Sequence, residues 1–121
     1  MDAAVLPDVI QRYLDARDEL DADATLRTFS ATAVVADDGA TRRGHEQIRR
    51  WLETTSSEYT FVRTMIGVST VGDDQWVVVN NITGNFPGGT VDLAYRFTLH
   101  DDLIDELVIA PAEAERGSQH V

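Results

Sequence analysis

The chain reads in two hydrophobic periods. Up to about residue 57, apolar side chains recur every three or four positions; beyond it they recur every second position. In the first part Leu6, Ile10, Tyr13, Leu14 and Arg17 fall on one stripe and predict a helix over 6–20. Pro7 suits a first turn, and Asp8 suits its positive end. A second short helix is expected over "DATLRTFS", with Leu26 and Phe29 inward. "AVVAD" predicts a strand, "DDGATRRG" a turn, and Gly44 opens a third helix whose apolar face is Ile48, Trp51 and Leu52.

The second part predicts four strands. They are "EYTFVRTMIGVSTV", "QWVVVNNITGNF", "TVDLAYRFTL" and "LIDELVIA", joined by the turns "GDD", "PGG" and "HDD". Connections this short make the sheet mostly antiparallel. Helices followed by a meander give an α+β fold, with three N-terminal helices packed on one curved sheet. In the third of these strands Leu93, Tyr95, Phe97 and Leu99 share the core or cavity face. In the second, either alternation places an asparagine on a covered side: Asn80 with Val78 and Ile82, or Asn81 with Val77 and Val79. No repeat, linker or second domain is visible. The expectation is a single domain over 1–121, with a core of about 6–110 and a polar tail over 111–121.

Composition narrows the classes. Hydrophobic residues make up 43% of the 121, enough for a packed core. Cysteine is absent, which removes disulfides, thiolate metal sites and a cysteine nucleophile. Lysine is also absent, which removes a Schiff base. The net charge of −11 repels phosphate backbones and anionic lipid, so neither nucleic acid nor membrane is an expected partner. No apolar run approaches a membrane span, and the acidic N-terminus does not read as a secretory signal; the expected location is cytoplasmic. No two histidines have ligand spacing, so no metal is expected. "GNFPGG" lacks the strand-to-helix context of a phosphate loop and reads as a turn.

Candidate chemistry centres on "VVADDG". Alternation puts Asp37 on the face of Val35, and Asp38 on the face of Ala36. An inward Asp37 in apolar surroundings would serve as a general base; an Asp-Asp-Gly turn is the ordinary alternative. Tyr13 lies on an apolar helix face, either as core or as a donor to an oxyanion. Trp51 reads as core or pocket wall. Arg63 and Asn80 are polar residues inside strands that would orient a ligand if they point inward. Asp105 and Glu106 are adjacent in the last strand, so one faces inward or flanks a bulge. His45 opens a helix and reads as solvated.

The blocks "VVADDGATRRGHEQIRRW" and "GNFPGGTVDLAYRFTL", in the order set by "VIQRYL" and "LRTFS", resemble the nuclear transport factor 2-like superfamily. Within it the chain is most similar to SnoaL-like proteins and ketosteroid isomerases, over roughly residues 6–110. The resemblance implies a cone-shaped α+β barrel around an apolar pocket. It also implies a homodimer through the outer sheet face, on the side of Val77 and Val79. Carried over by residue, Tyr13 takes the place of the oxyanion-donor tyrosine, Phe29 that of a family phenylalanine and Asp37 that of the catalytic base. Ketosteroid isomerase is itself a standard illustration of pKa tuning. Leu93 stands where that family has a buried, protonated acid. Asp92 is one residue away, and a single step along a strand puts it on the opposite face.

The expected function is therefore SnoaL-like acid–base chemistry without a cofactor, of isomerase or cyclase type, on an apolar carbonyl compound. Asp37 and Tyr13 would act on it. Phe29, Trp51, Arg63, Asn80, Leu93 and Tyr95 would form the pocket. The alternatives are a non-catalytic protein of the same fold that binds a hydrophobic ligand or acts as a dimeric accessory module, and a purely structural dimer whose cone is filled by side chains such as Trp51, Tyr95 and Phe97.

Overall fold

Three helices precede the main sheet, and each is set by a local signal. The structure, a computed structural model, describes residues 6–37, 39–58 and 60–112. Helix α1 (Asp8–Asp18) starts after Pro7, whose carbonyl accepts the N–H groups of Ile10 and Gln11. Its buried residues are Val9, Ile10, Tyr13, Leu14 and Ala16, so the predicted stripe is the face it packs. It ends two residues before Leu20, which takes a left-handed φ of 59°. Asp21 then caps the short α2 (Ala22–Leu26), its carboxylate accepting the Ala24 N–H. This helix is shorter than the sequence suggested, because Phe29 and Ser30 already belong to β1 (Phe29–Asp37). Helix α3 (Gly44–Glu58) buries Ile48, Trp51 and Leu52 as its spacing predicted.

One strand was not foreseen. "ATRR" forms β2 (Ala40–Arg43), antiparallel to β1 and turned through Gly39 at φ 78°. Four largely exposed residues on a sheet edge show no alternation, so the pattern carries no sign of it. The other strands are β3 (Phe61–Thr70), β4 (Gln75–Gly84), β5 (Thr90–His100) and β6 (Leu103–Pro111). The sheet order is β2-β1-β6-β5-β4-β3. All pairings are antiparallel except β1 with β6, where the chain crosses back and runs parallel.

The parallel pair lets residues from both parts of the chain meet. Val35 and Phe29 pack with Ile104, Leu107 and Phe97 beneath Tyr13, Leu14 and Leu52. On β4 the ambiguity resolves toward Val78, Asn80 and Ile82 as the inner face, all buried. Asn81 faces the other way and donates to Asp92 at 3.0 Å, which puts Asp92 on the outer side as alternation required. The register shifts between Thr98 and Leu99, leaving Asp105 as the extra residue of β6 while Glu106 is exposed. Asp105 accepts the Ser30 hydroxyl at 2.8 Å. Asp101 and Asp102, both at positive φ, turn β5 into β6 by the two-residue route that matches strand twist.

The polar tail expected over 111–121 begins differently. Pro111 ends β6 and Ala112 is buried, while 113–121 lie outside the described residues, as does Asp38.

Candidate functional site

Asp37 is the last residue of β1, at the point where the strand leaves the core. Val35, two residues earlier, is fully buried, and Asp37 on the same face opens into a cavity of about 590 Å³. That volume suits a small organic ligand. The backbone carbonyl of Asp37 is held by Arg42 Nη1 at 3.2 Å. Its carboxylate is held by Trp51, whose Nε1–H donates to Oδ2 at 2.9 Å. Among the described residues no side chain donates to Oδ1. Trp51 can do this because it projects from the inner face of α3, between Ile48 and Leu52.

The face of the indole carries a cation. The Arg17 guanidinium lies 5.2 Å from the ring centroid and lines the same cavity. Such a contact contributes about 1 kcal/mol. The tryptophan thus contacts both charges, giving its N–H to the carboxylate and its ring face to the guanidinium.

Tyr95 and Leu93 enter from β5, on the face that alternation assigned to the core. Burial raises the Tyr95 phenol well above the usual tyrosine range, and Tyr13 adds to the effect; Arg17 and Arg63 oppose it in part. Tyr95 is therefore a protonated donor at any ordinary pH. The rest of the wall is apolar: Ile82 and Val91 on paired strands, Ile109 opposite Tyr95, Phe61 at the start of β3, and Phe86 and Pro87 from the β4–β5 turn. Gly84 fixes the root of that turn. A Cβ there would meet the Thr60 carbonyl oxygen at 2.2 Å, and the same carbonyl accepts the Asn85 N–H.

The expected site residues separate into two groups. Asp37, Trp51, Leu93 and Tyr95 line the cavity. Tyr13, Phe29, Asn80 and Arg63 do not. Tyr13 is wholly buried, edge-on to Phe29 and Phe97 with ring centroids 5.6 and 5.5 Å away. Phe29 is core, buried against the Tyr13 ring of α1. Asn80 sits beneath the lining, its Oδ1 taken by Arg63 Nη1 at 2.9 Å. Arg63 is drawn toward α1 by a bidentate pair with Asp18, at 2.9 and 2.7 Å, and that pair raises its already high pKa. It borders a smaller depression of about 370 Å³ that shares Arg17 and Phe61 with the main cavity. His45, expected to be solvated, is exposed, yet its Nε2 also reaches the carbonyls of Phe29 and Ser30, both at 3.1 Å.

Arg17 is the polar lining residue that site reasoning passed over. The signal was present, since it falls four residues after Tyr13 on the apolar stripe of α1. Phe61, Phe86 and Pro87 carry no comparable signal, because they reach the cavity through the ends of strands. Among the described residues no cluster of three metal-ligating side chains occurs, and no helix is long and apolar enough to cross a membrane.

Comparison with known proteins gives this geometry a context. A family model described as SnoaL-like domain matches residues 10–107. The chain is 36% identical to the crystal structure of a candidate polyketide cyclase from Sinorhizobium meliloti, with a TM-score of 0.82 over 87% of this chain and 95% of that one. It has the same fold as a Catenulispora acidiphila protein of ketosteroid isomerase-like fold bound to trimethylamine (20% identity, TM-score 0.76, covering 88% and 86% of the two chains). A third structure is a Mycobacterium tuberculosis protein in complex with estradiol-17β-hemisuccinate (15% identity, TM-score 0.71, covering 84% and 88%). The chain has no significant match among curated proteins.

Proposed function

The chain belongs to the SnoaL-like family, and on that premise we propose that it is a cofactor-free acid–base enzyme acting on an apolar carbonyl compound. Asp37 is the base. It removes a proton α to the carbonyl, the step that begins both an aldol-type cyclisation and a double-bond isomerisation. The observation that carries this reading is the one carboxylate among the described lining residues, set in a mostly apolar cavity and oriented by the Trp51 N–H. An aspartate so placed has the reach and the fixed geometry of a general base. The 36% identity to a candidate polyketide cyclase supports the cyclase branch.

The test needs no knowledge of the natural substrate. 2-Tetralone incubated with the protein in D₂O should exchange its α-protons faster than in buffer alone, followed by NMR. Asp37→Asn should lower that exchange by about a hundredfold or more, while circular dichroism shows the fold retained. Exchange that is unchanged in the variant removes Asp37 from the role.

A second reading, a carrier of apolar ligands, is favoured by Leu93 in the place where the resemblance puts an acid. It predicts that 2-tetralone raises the melting temperature with no enhanced exchange. Under either reading we infer a homodimer through the outer sheet face bearing Val77 and Val79. In its support, the neighbouring edge strand leaves Val62 67% exposed on that side.

A further inference from the structure

Removing an α-proton leaves a charge to be accommodated. The C–H electron pair moves into the new C–C double bond, and the carbonyl π pair moves onto oxygen. The proton sits on Asp37, and the oxygen becomes anionic. In an apolar cavity that oxygen needs donors fixed in advance. Leu93 supplies none, and Tyr13, the donor that the resemblance names, is buried off the lining.

Taking Asp37 as the base, we propose that Arg17, with Tyr95 beside it, binds the enolate oxygen, so that the ligands of this cavity are compounds whose carbonyl becomes an enolate or phenolate-like anion. Three observations place these groups together. Arg17, Asp37 and Tyr95 line one cavity whose other described lining side chains are apolar apart from the Trp51 N–H. Trp51 gives its in-plane N–H to Asp37 and its ring face to Arg17, so carboxylate and guanidinium are anchored to the edge and the face of one indole. A carbonyl compound entering there meets both the base and the cation. Tyr95 feels both of these charges and keeps its own proton, so it donates rather than competes as an anion. The guanidinium is the natural choice for this position, because it stays charged and presents several N–H donors in a plane.

Arg17 and Asp37 are each anchored to a different part of the same indole, the ring face and the N–H edge, which fixes both relative to a ligand in the cavity.

The test uses 4-nitrophenol, whose ionised form absorbs in the visible and mimics an enolate. It is titrated into the Asp37→Asn protein, which carries the charge that the site has once the base has taken its proton. The bound probe should ionise at lower pH than the free probe. Adding Arg17→Met should abolish that shift and weaken phenolate binding about tenfold or more. Tyr95→Phe should cause a smaller loss, and Arg17→Lys should retain part of the preference. Should the Met variant not fold, Arg17→Gln carries the same expectation. The proposal is overturned if the probe fails to bind, if it ionises when bound at the same or higher pH than when free, or if removing the Arg17 charge changes nothing. Because the readout is a spectrum, it stands apart from the exchange assay. Failed exchange with intact phenolate binding dismisses the base, whereas the converse dismisses Arg17.

Discussion

Among the described residues, two buried side-chain polar atoms, the Tyr13 hydroxyl and Asn80 Nδ2, have no hydrogen-bond partner. Each such group costs about 1–3 kcal/mol relative to a satisfied one. Burial raises the Tyr13 phenol above its ordinary value of 10.0, and the nearby Arg17 guanidinium opposes that rise. The sign of the pH effect follows. Above pH 10.0 the unfolded phenol gives up its proton while the folded one keeps it, so stability is fully present below that pH and falls as pH rises further. Tyr13→Phe removes the unsatisfied hydroxyl and one of the two raised phenols. Its melting temperature should match or exceed the parent's at pH 7, and its decline above pH 10 should be shallower, as thermal melts across that range would show. A clear loss of stability at pH 7 would mean that the hydroxyl is satisfied after all. At this scale the sequence was legible where alternation applied. Asp37 is inward because Val35 is, and Asp92 is outward because Leu93 is inward. Tyr13 was not legible, since a helix stripe shows which side is covered but not whether the side chain ends in a cavity or against another ring.

Helix α1 ends in an arrangement that normally uses glycine. The Leu20 N–H bonds the Arg17 carbonyl and the Asp21 N–H bonds the Ala16 carbonyl, closing the left-handed turn of a Schellman cap. Leu20 holds it at φ 59° with most of its side chain in solvent. A β-carbon in that region costs about 1–2 kcal/mol, partly offset by the entropy a glycine would lose. Leu20→Gly should therefore stabilise the protein by about 1 kcal/mol in urea unfolding; a loss instead would show that Leu20 packs against something. At the scale of elements the hydrophobic periods placed all three helices and five of the six strands. They missed β2, whose residues are exposed on both faces, and they gave no sign that β1 lies parallel to β6. Periodicity records which side of a strand is covered and says nothing of which strand lies next to it.

The whole molecule carries a net charge of −11, so at low ionic strength two copies repel before apolar surfaces can meet. If the outer sheet face joins two chains, sedimentation at moderate salt should give twice the chain mass, and Val62→Glu should return it to a monomer of unchanged helix and strand content. A wild-type monomer at all salt concentrations would dismiss the interface. The family and the α+β fold were legible from two sequence blocks, but the cavity was only half so, because its wall draws on α1, α3 and five strands that no local pattern relates. That dispersal bears on how the chain assembles. Until β6 has been made, β1 has β2 as its only sheet neighbour, and the helical part of the chain is not joined to the β3–β5 meander. The contact that joins them spans most of the sequence, from Phe29 to Ile104 and from Asp37 to Ile109. Closing so long a loop comes before its reward, so folding should be slow for a domain of this size, with its committing step the arrival of the last described strand. During synthesis, Asp37 and Tyr95 then become neighbours only after β6 has left the ribosome.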